Sequence, residues 1–483
     1  MKSQAHVPRL PAHSPRASVP DVTPGRYGAL VTTVPVTPRP TQRRRFGWPV
    51  YAWSLWDWGS AAFNAVITTF VFTVYITNAD LFGAGASQKL GWVLAGAGAL
   101  IAVCAPVAGL RSDRSGRRTF WLAVNTMVVV VISASLFFVA PGPENLWLGL
   151  VLLAVGNIFF ELASVNYYAM LNGLSTPQTI GRVSGLGWGL GYIGGIVLLL
   201  IVYFGLISPD VGLFGITSEN GMDVRVAMLI CAGWTLVFSL PVILTVRDDR
   251  SSRGTLPRLG VIGSYRLLFR SVANVWRQDH HTVFFLGASA IFRDGLAGVF
   301  TFGGVIAATV FGFAPGEVIV FGVAANLVAG VATIAFGALD DLLGPKRVIV
   351  GSLVAMILAG LGVFFLHERG AVVFWSLGLL LCVFVGPAQS ASRTFLARLI
   401  PRGKEGELFG LYATTGRAVS FLAPAAFSLA IAVGAGVTGQ SAADAEYWGI
   451  LGVVAVLTLG LLLLLPVRSR VRSESALHEP PPA

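Results

Sequence analysis

The chain has 483 residues and a net charge of +11, yet only 12% of its residues are charged and 55% are hydrophobic. Soluble domains carry about 25% charged residues. At half that density the apolar remainder would have to face water, which argues against a soluble enzyme, a nucleic-acid-binding domain or a disordered chain.

Residues 1–48 are polar, hold eight prolines and are cationic. They read as a disordered cytoplasmic tail. A secretory signal is not expected, because the first apolar stretch begins only near Val50, is too long for an h-region and has no cleavage-like site after it. Twelve stretches then reach the ~20 apolar residues that cross a hydrocarbon core of ~30 Å. They run over 50–77, 91–110, 119–140, 146–168, 183–206, 224–246, 282–309, 318–339, 348–366, 371–392, 408–433 and 447–465. Each must be helical, since lipid offers no partner to a free backbone N–H or C=O. The spacing predicts a six-helix bundle over 49–246, a basic cytoplasmic linker over 247–281, a second bundle over 282–466 and a cytoplasmic tail over 467–483. Within the linker, 265–276 reads either as an amphipathic helix on the anionic leaflet or as a solvated connection. The three cysteines, Cys104, Cys231 and Cys382, lie far apart inside apolar runs and read as core residues.

Lys and Arg sort by side. With the N-terminus inside, 28 of the 34 fall in cytoplasmic segments, and only Lys89, Arg225 and Arg369 in outer loops. The positive-inside rule then predicts cytoplasmic N- and C-termini. The same sorting accounts for the basic charge without nucleic acid as a partner.

The two halves echo each other. Gly109-x-x-x-Asp113-x-x-Gly116-Arg117-Arg118 between the second and third spans matches Gly337-x-x-x-Asp341-x-x-Gly344-x-Lys346-Arg347 between the eighth and ninth, 228 residues on. Gly181-x-x-x-Gly185-Leu186-x-x-x-x-Gly191 matches Gly406-x-x-x-Gly410-Leu411-x-x-x-x-Gly416 at an offset of 225. Two echoes at nearly one offset indicate a duplication. In the loop motif the glycines are expected to allow a tight reversal, the aspartate to accept from a neighbouring helix N-terminus, and the basic residues to hold the loop at the inner surface. Such contacts would latch the cytoplasmic face shut.

Twelve spans in two halves with this repeated loop resemble the major facilitator superfamily. Trp56-Asp57-Trp58 with Phe63 and Thr69-Phe70-Val71-Phe72, Gly181-Arg182 through Gly191-Tyr192, and Gln389 through Arg393, Ala397 to Pro401 and Phe409 to Tyr412 resemble its vacuole effluxer-like subfamily, also called the unknown major facilitator family. Ser60 stands where that family usually has Asn, and Arg293 where it usually has a neutral residue. The resemblance implies an all-α polytopic membrane protein of the major facilitator fold, with two six-helix pseudo-repeats. It also implies that the first, fourth, seventh and tenth helices line a cavity. By analogy with eukaryotic relatives, it implies amino-acid efflux.

Ionisable residues inside spans are costly and point to function. At 1.5 Å per residue, Asp57 lies roughly 10 Å from the inner end of its span, Glu161 and Arg417 roughly 13 Å, and Asp294 roughly 18 Å. A carboxylate in a low-dielectric cavity can carry a proton, which makes Asp57, Glu161 and Asp294 candidates for coupling or substrate binding. Arg417, and Arg293 beside Asp294, are candidates for a substrate carboxylate or for an ion pair, Arg417 with Asp57 or Glu161. Arg293 and Asp294 are adjacent, so they point about 100° apart on a helix and need not pair. Arg393 near an inner end is expected to snorkel. Asn64, Asn157, Asn166 and Gln389 can bind substrate or tie helices together.

Gly189-x-Gly191-x-x-Gly194 fits a dinucleotide pattern but lies inside a span, and no Walker A, H-E-x-x-H, G-x-S-x-G or C-x-x-C motif occurs, so no cofactor or metal is expected. The reading is therefore a monomeric secondary transporter, not an enzyme, in the plasma membrane. It would move a small solute by alternating access with proton coupling, exporting amino acids or related metabolites. A drug or sugar carrier of the same fold, or a non-transporting receptor or scaffold, are the alternatives.

Overall fold

A computed structural model of the chain describes residues 46–83, 86–248, 280–313, 315–400, 404–439, 441 and 444–468, with single positions between 263 and 277. The expected N-terminal tail, most of the linker with its 265–276 stretch, and most of the C-terminal tail lie outside the described residues.

Among the described residues there are twelve apolar helices: α1 Trp48–Thr77, α2 Trp92–Ser115, α3 Arg118–Phe138, α4 Pro143–Leu174, α5 Ile180–Ile207, α6 Glu219–Thr245, α7 His280–Ala307, α8 Val320–Leu343, α9 Pro345–Phe365, α10 Ala371–Leu399, α11 Glu405–Thr438 and α12 Glu446–Leu464. Each span expected from hydropathy has its helix. Most of the observed ones run longer, because a helix needs apolar residues only where it meets lipid and continues into polar flanks. The face at which α1 starts is called proximal below, and the other distal.

The pairings repeat with a shift of six. The α1·α5, α1·α6, α2·α4, α3·α4 and α3·α6 contacts of the first half recur as α7·α11, α7·α12, α8·α10, α9·α10 and α9·α12. Between the halves α2 packs on α11 and α5 on α8. The apolar core divides unevenly. One cluster runs from Val50, Trp53 and Tyr167 of the first half through the whole second half. A separate cluster, including Phe63, Phe72, Leu150 and Leu198, belongs to the distal part of the first half alone. The halves are thus fused toward the proximal face and part toward the distal one.

The repeated loop motif is mostly helix. Gly109 lies within α2 and Gly337 within α8; only Gly116 (φ 59°) and Gly344 (φ 88°) make the reversals. The expectation that both glycines of each motif serve the turn is corrected accordingly. Gly109 serves a crossing instead, since a Cβ there would collide with the carbonyl oxygen of Gly406 on α11. A Cβ on Gly337 would stand 2.8 Å from the carbonyl oxygen of Gly181 on α5. The motif's glycine and its partner glycine are therefore contact points between halves.

Several helices are irregular, α5 and α10 with short π-helical stretches at Tyr203–Ile207 and Phe374–Gly378 among them. α1 passes through a wide π-helical stretch, Ala62–Phe70, whose end is marked by the Val71 N–H reaching the Val66 carbonyl at 2.9 Å. α11 breaks after Val419 and resumes at Leu422. Backbone irregularity at membrane depth is tolerated where protein or a cavity satisfies the freed groups. Cys231 and Cys382 are buried, but Cys104 is exposed on α2, against the expectation of a core residue. Hydropathy cannot separate the two cases, because lipid-facing and protein-facing positions are equally apolar.

Candidate functional site

The polar contacts between halves lie from the proximal face up to mid-depth, in three layers. The first layer is the paired clamp built on the repeated motif. Asp113, at the end of α2, accepts the backbone N–H groups of Gly406 and Glu407, both at 2.9 Å, at the start of α11. Asp341, at the end of α8, accepts those of Gly181 (2.7 Å) and Arg182 (3.0 Å) at the start of α5. Each carboxylate sits where unpaired N–H groups and the helix dipole favour an anion, and each does so in the opposite half. Arg118 donates to Asp113 and to Glu405, both at 2.7 Å, and to the Ala169 carbonyl at 3.2 Å. On the other side Arg182 donates to Asp341 at 3.0 Å, and Arg398 lies 3.3 Å from Asp340 and 3.4 Å from Asp341. The remaining motif cations stay local. Lys346 donates to the carbonyls of Leu465 and Val467, Arg347 reaches the Leu343 carbonyl, and Arg117 lies over Phe120.

The second layer was not legible as a site. Arg393 on α10 does not snorkel; it is 1% exposed and points into the first half. Its Nε donates to Ser184 Oγ at 3.0 Å and its Nη2 to the Ser184 carbonyl at 2.7 Å. Its Nη1 lies 3.7 Å from Asp57 Oδ2, and that oxygen also accepts from the Tyr167 hydroxyl at 2.8 Å. Four rings surround the guanidinium: Trp53, Tyr167, Tyr168 and Trp188, with centroids 5.3, 5.8, 5.1 and 5.1 Å from Cζ. Snorkelling was the expectation because six residues separate Arg393 from the end of α10. The rings come from α1, α4 and α5, and only the tertiary contact reveals them.

The third layer is at mid-depth. Arg417 Nη2 on α11 donates to Glu161 Oε2 at 3.0 Å and to Asn157 Oδ1 at 3.3 Å, both on α4. The Arg417 side chain keeps 35% of its surface exposed and Glu161 16%. Of the two acids open to Arg417 on sequence grounds, the structure pairs it with Glu161. The break in α11 adjoins this pair, and Ser420 Oγ donates to the Arg417 carbonyl at 3.0 Å. Arg293 lies against the same helix, donating to the Tyr412 carbonyl at 3.1 Å with Cζ 3.7 Å from the centre of the Tyr412 ring.

The other candidates disperse. Asp294 does not pair with Arg293. It accepts the backbone N–H groups of Leu422 and Ala423, the latter at 2.5 Å, and so caps the distal piece of α11. Asn166 is buried and donates to the Leu162 carbonyl of its own helix at 2.8 Å. Asn64 is exposed within the π-helical stretch, and Gln389 is half-buried one turn before Arg393. A small apolar pocket lies inside the second half beside Phe302, Phe374 and Ile450, but no charged side chain lines it. It cannot orient a charged solute. No cluster of metal-ligating residues occurs among the described residues.

The family described as vacuole effluxer Atg22 like matches residues 97–472. The chain belongs to that family. Among relatives of this effluxer-like chain, the uncharacterized MFS-type transporter YxiO of Bacillus subtilis is 26% identical over 87% of this chain and 95% of its own length. Autophagy-related protein 22-1 of Neosartorya fischeri is 23% identical over 63% of this chain, and the chain spans 52% of that fungal protein. Solved structures share the fold. The proton:xylose symporter XylE aligns with a TM-score of 0.64 at 12% identity, covering 85% of this chain and 94% of that one. A bacterial homologue of the iron transporter ferroportin, in an outward-facing state, aligns at 0.62 and 14% identity, covering 88% and 99%. The effluxer-like chain is therefore a multi-pass membrane transporter of the major facilitator superfamily and not an enzyme.

Proposed function

We propose that this transporter exports amino acids or related small zwitterionic metabolites by alternating access, with binding between the halves at mid-depth and coupling to protons. The observation that carries the reading is the Arg417–Glu161–Asn157 group. It joins the two halves, is partly open, and presents a cation and an anion 3.0 Å apart. A zwitterion offers the complementary pair, a carboxylate for the arginine fork and an ammonium for Glu161. A solute that takes both would separate Arg417 from Glu161 and so act on the contact between halves.

Coupling rests on the same geometry. Asp57 and Glu161 each face an arginine of the opposite half. Protonating either removes the charge that holds its partner, which ties proton uptake to relaxation of the inter-half contact. Asp294, as a cap within its own half, is the weaker coupling candidate. The proximal face is read as cytoplasmic because the basic residues concentrate there. The plasma membrane is favoured by the fuller match to a bacterial transporter than to the fungal proteins.

The test is flux in proteoliposomes with a panel of amino acids, sugars and drugs, with and without an imposed pH gradient. Amino-acid flux that follows the gradient is expected. Glu161→Gln should abolish gradient-driven movement at unchanged expression, while Arg417→Lys should raise KM for the amino acid. Unchanged kinetics in Glu161→Gln and Asp57→Asn would sink the coupling scheme. Absence of flux for every solute would favour a receptor or scaffold.

A further inference from the structure

The environment of Arg393 has the parts of a receptor for an organic cation, and they belong to the half opposite Arg393. Trp53 and Asp57 come from α1, Tyr167 and Tyr168 from α4, and Ser184 and Trp188 from α5. Arg393 comes from α10, as does Ser390, whose carbonyl and hydroxyl meet the Ser184 hydroxyl at 3.1 and 2.9 Å. Aromatic faces attract a desolvated cation through their quadrupole, and a carboxylate at the rim adds direction. The fit is incomplete: Arg393 Nη1 has no hydrogen-bond partner although it is buried, and Asp57 stands 3.7 Å away. The cage therefore holds the guanidinium without satisfying it fully.

Alternating access requires the halves to separate at the proximal face, which withdraws α10 from α1, α4 and α5. The rings, the Asp57 carboxylate and the Ser184 hydroxyl then remain together, facing the proximal solution. We propose that this cage binds the ammonium or guanidinium group of the cargo in the proximal-open state, and that Arg393 is a tethered competitor that occupies it when the proximal face closes. Re-entry of Arg393 displaces the cargo's cationic group toward Glu161, which lies deeper on the same helix as Tyr167 and Tyr168. The inference rests on the alternating-access reading and narrows the substrate class: a cargo must carry an organic cation, and neutral sugars are excluded.

Binding of choline to purified full-length protein tests it, with 3,3-dimethylbutanol as the uncharged isostere. Arg393→Ala, which empties the cage without any rocking, should bind choline about tenfold more tightly than the unaltered protein or better. The isostere should show no gain, and adding Trp188→Leu or Asp57→Asn should remove the gain for choline. A folded, monodisperse Arg393→Ala that gains no choline affinity, or that gains equally for the isostere, overturns the proposal. If Arg393→Ala does not fold, the unaltered protein decides. In proteoliposomes choline should inhibit leucine flux from the proximal side only, and the isostere should not. Equal inhibition from both sides, none at all, or inhibition by the isostere refutes the cage. Should no solute move in any proteoliposome, the transport reading fails. The cage is then judged in detergent by the unaltered protein alone, where choline binding that Trp188→Leu abolishes supports it and its absence rejects it.

Discussion

Single side chains in this transporter divide by what they satisfy. Asp294 and Asp57 lie on corresponding helices of the two halves, and sequence alone treats them alike. The structure separates them, because the break in α11 leaves amides at Leu422 and Ala423 that need an acceptor, and Asp294 is the residue opposite. Losing a cap of this kind costs about 0.5–2 kcal/mol. Asp294→Ala should therefore lower the melting temperature of the purified protein by a few degrees, and Asp294→Asn, which keeps an acceptor oxygen, should recover most of it. A thermal melt of the two variants checks this, and equal loss in both would reject the capping role. Arg393 shows the opposite case. Its charge was visible in sequence, but its burial was not, since an arginine near a helix end has a choice between water and protein. Four rings and Ser184 decide for protein. Removing Asp57 would leave that buried charge without its counter-ion, a change that typically costs about 3–5 kcal/mol.

At the scale of helices, the two cross-half packings, α2 on α11 and α5 on α8, depend on glycine touching glycine. The repeated motif was legible because its spacing recurs at one offset. Its role as a helix crossing was not, because nothing local distinguishes a glycine that turns the chain from one that lets another helix approach. Gly109→Val should force α2 from α11 and populate the proximal-open state. A cysteine introduced as Asn172→Cys, where the asparagine normally donates to the Ala397 carbonyl at 3.0 Å, reports the opening. In a Cys104→Ser background, which removes the exposed native thiol, its labelling by a water-soluble maleimide should quicken in Gly109→Val. Labelling at the original rate would show that the crossing is not a gate contact.

For the whole molecule, the proposed alternating access places the clamps of Asp113 and Asp341 in parallel on one equilibrium between closed and open proximal faces. Hydrogen bonds to charged groups contribute about 1.5–3 kcal/mol each. Asp113→Asn and Asp341→Asn should each raise the open fraction roughly tenfold or more, and the double variant should multiply the two effects, because independent free energies add. The Asn172→Cys labelling rate measures all three, and a double variant no more open than either single one would place both clamps in one cooperative unit.

Sequence by itself determined the twelve spans, the duplication and the uneven distribution of charge. Each is a local or periodic property: lipid demands a helix of sufficient apolar length whatever lies beside it, and a repeat survives as spacing. It also marked Asp57, Glu161 and Arg417 as residues with a cost that needs an explanation. Only the tertiary structure decided the partners. Arg417 meets Glu161 across 256 residues of chain, Asp113 meets the start of α11 across 294, and Arg393 enters a cage assembled from three helices of the other half. Those pairings depend on how two bundles face each other, and a charge carries no local sign of which helix will lie opposite it.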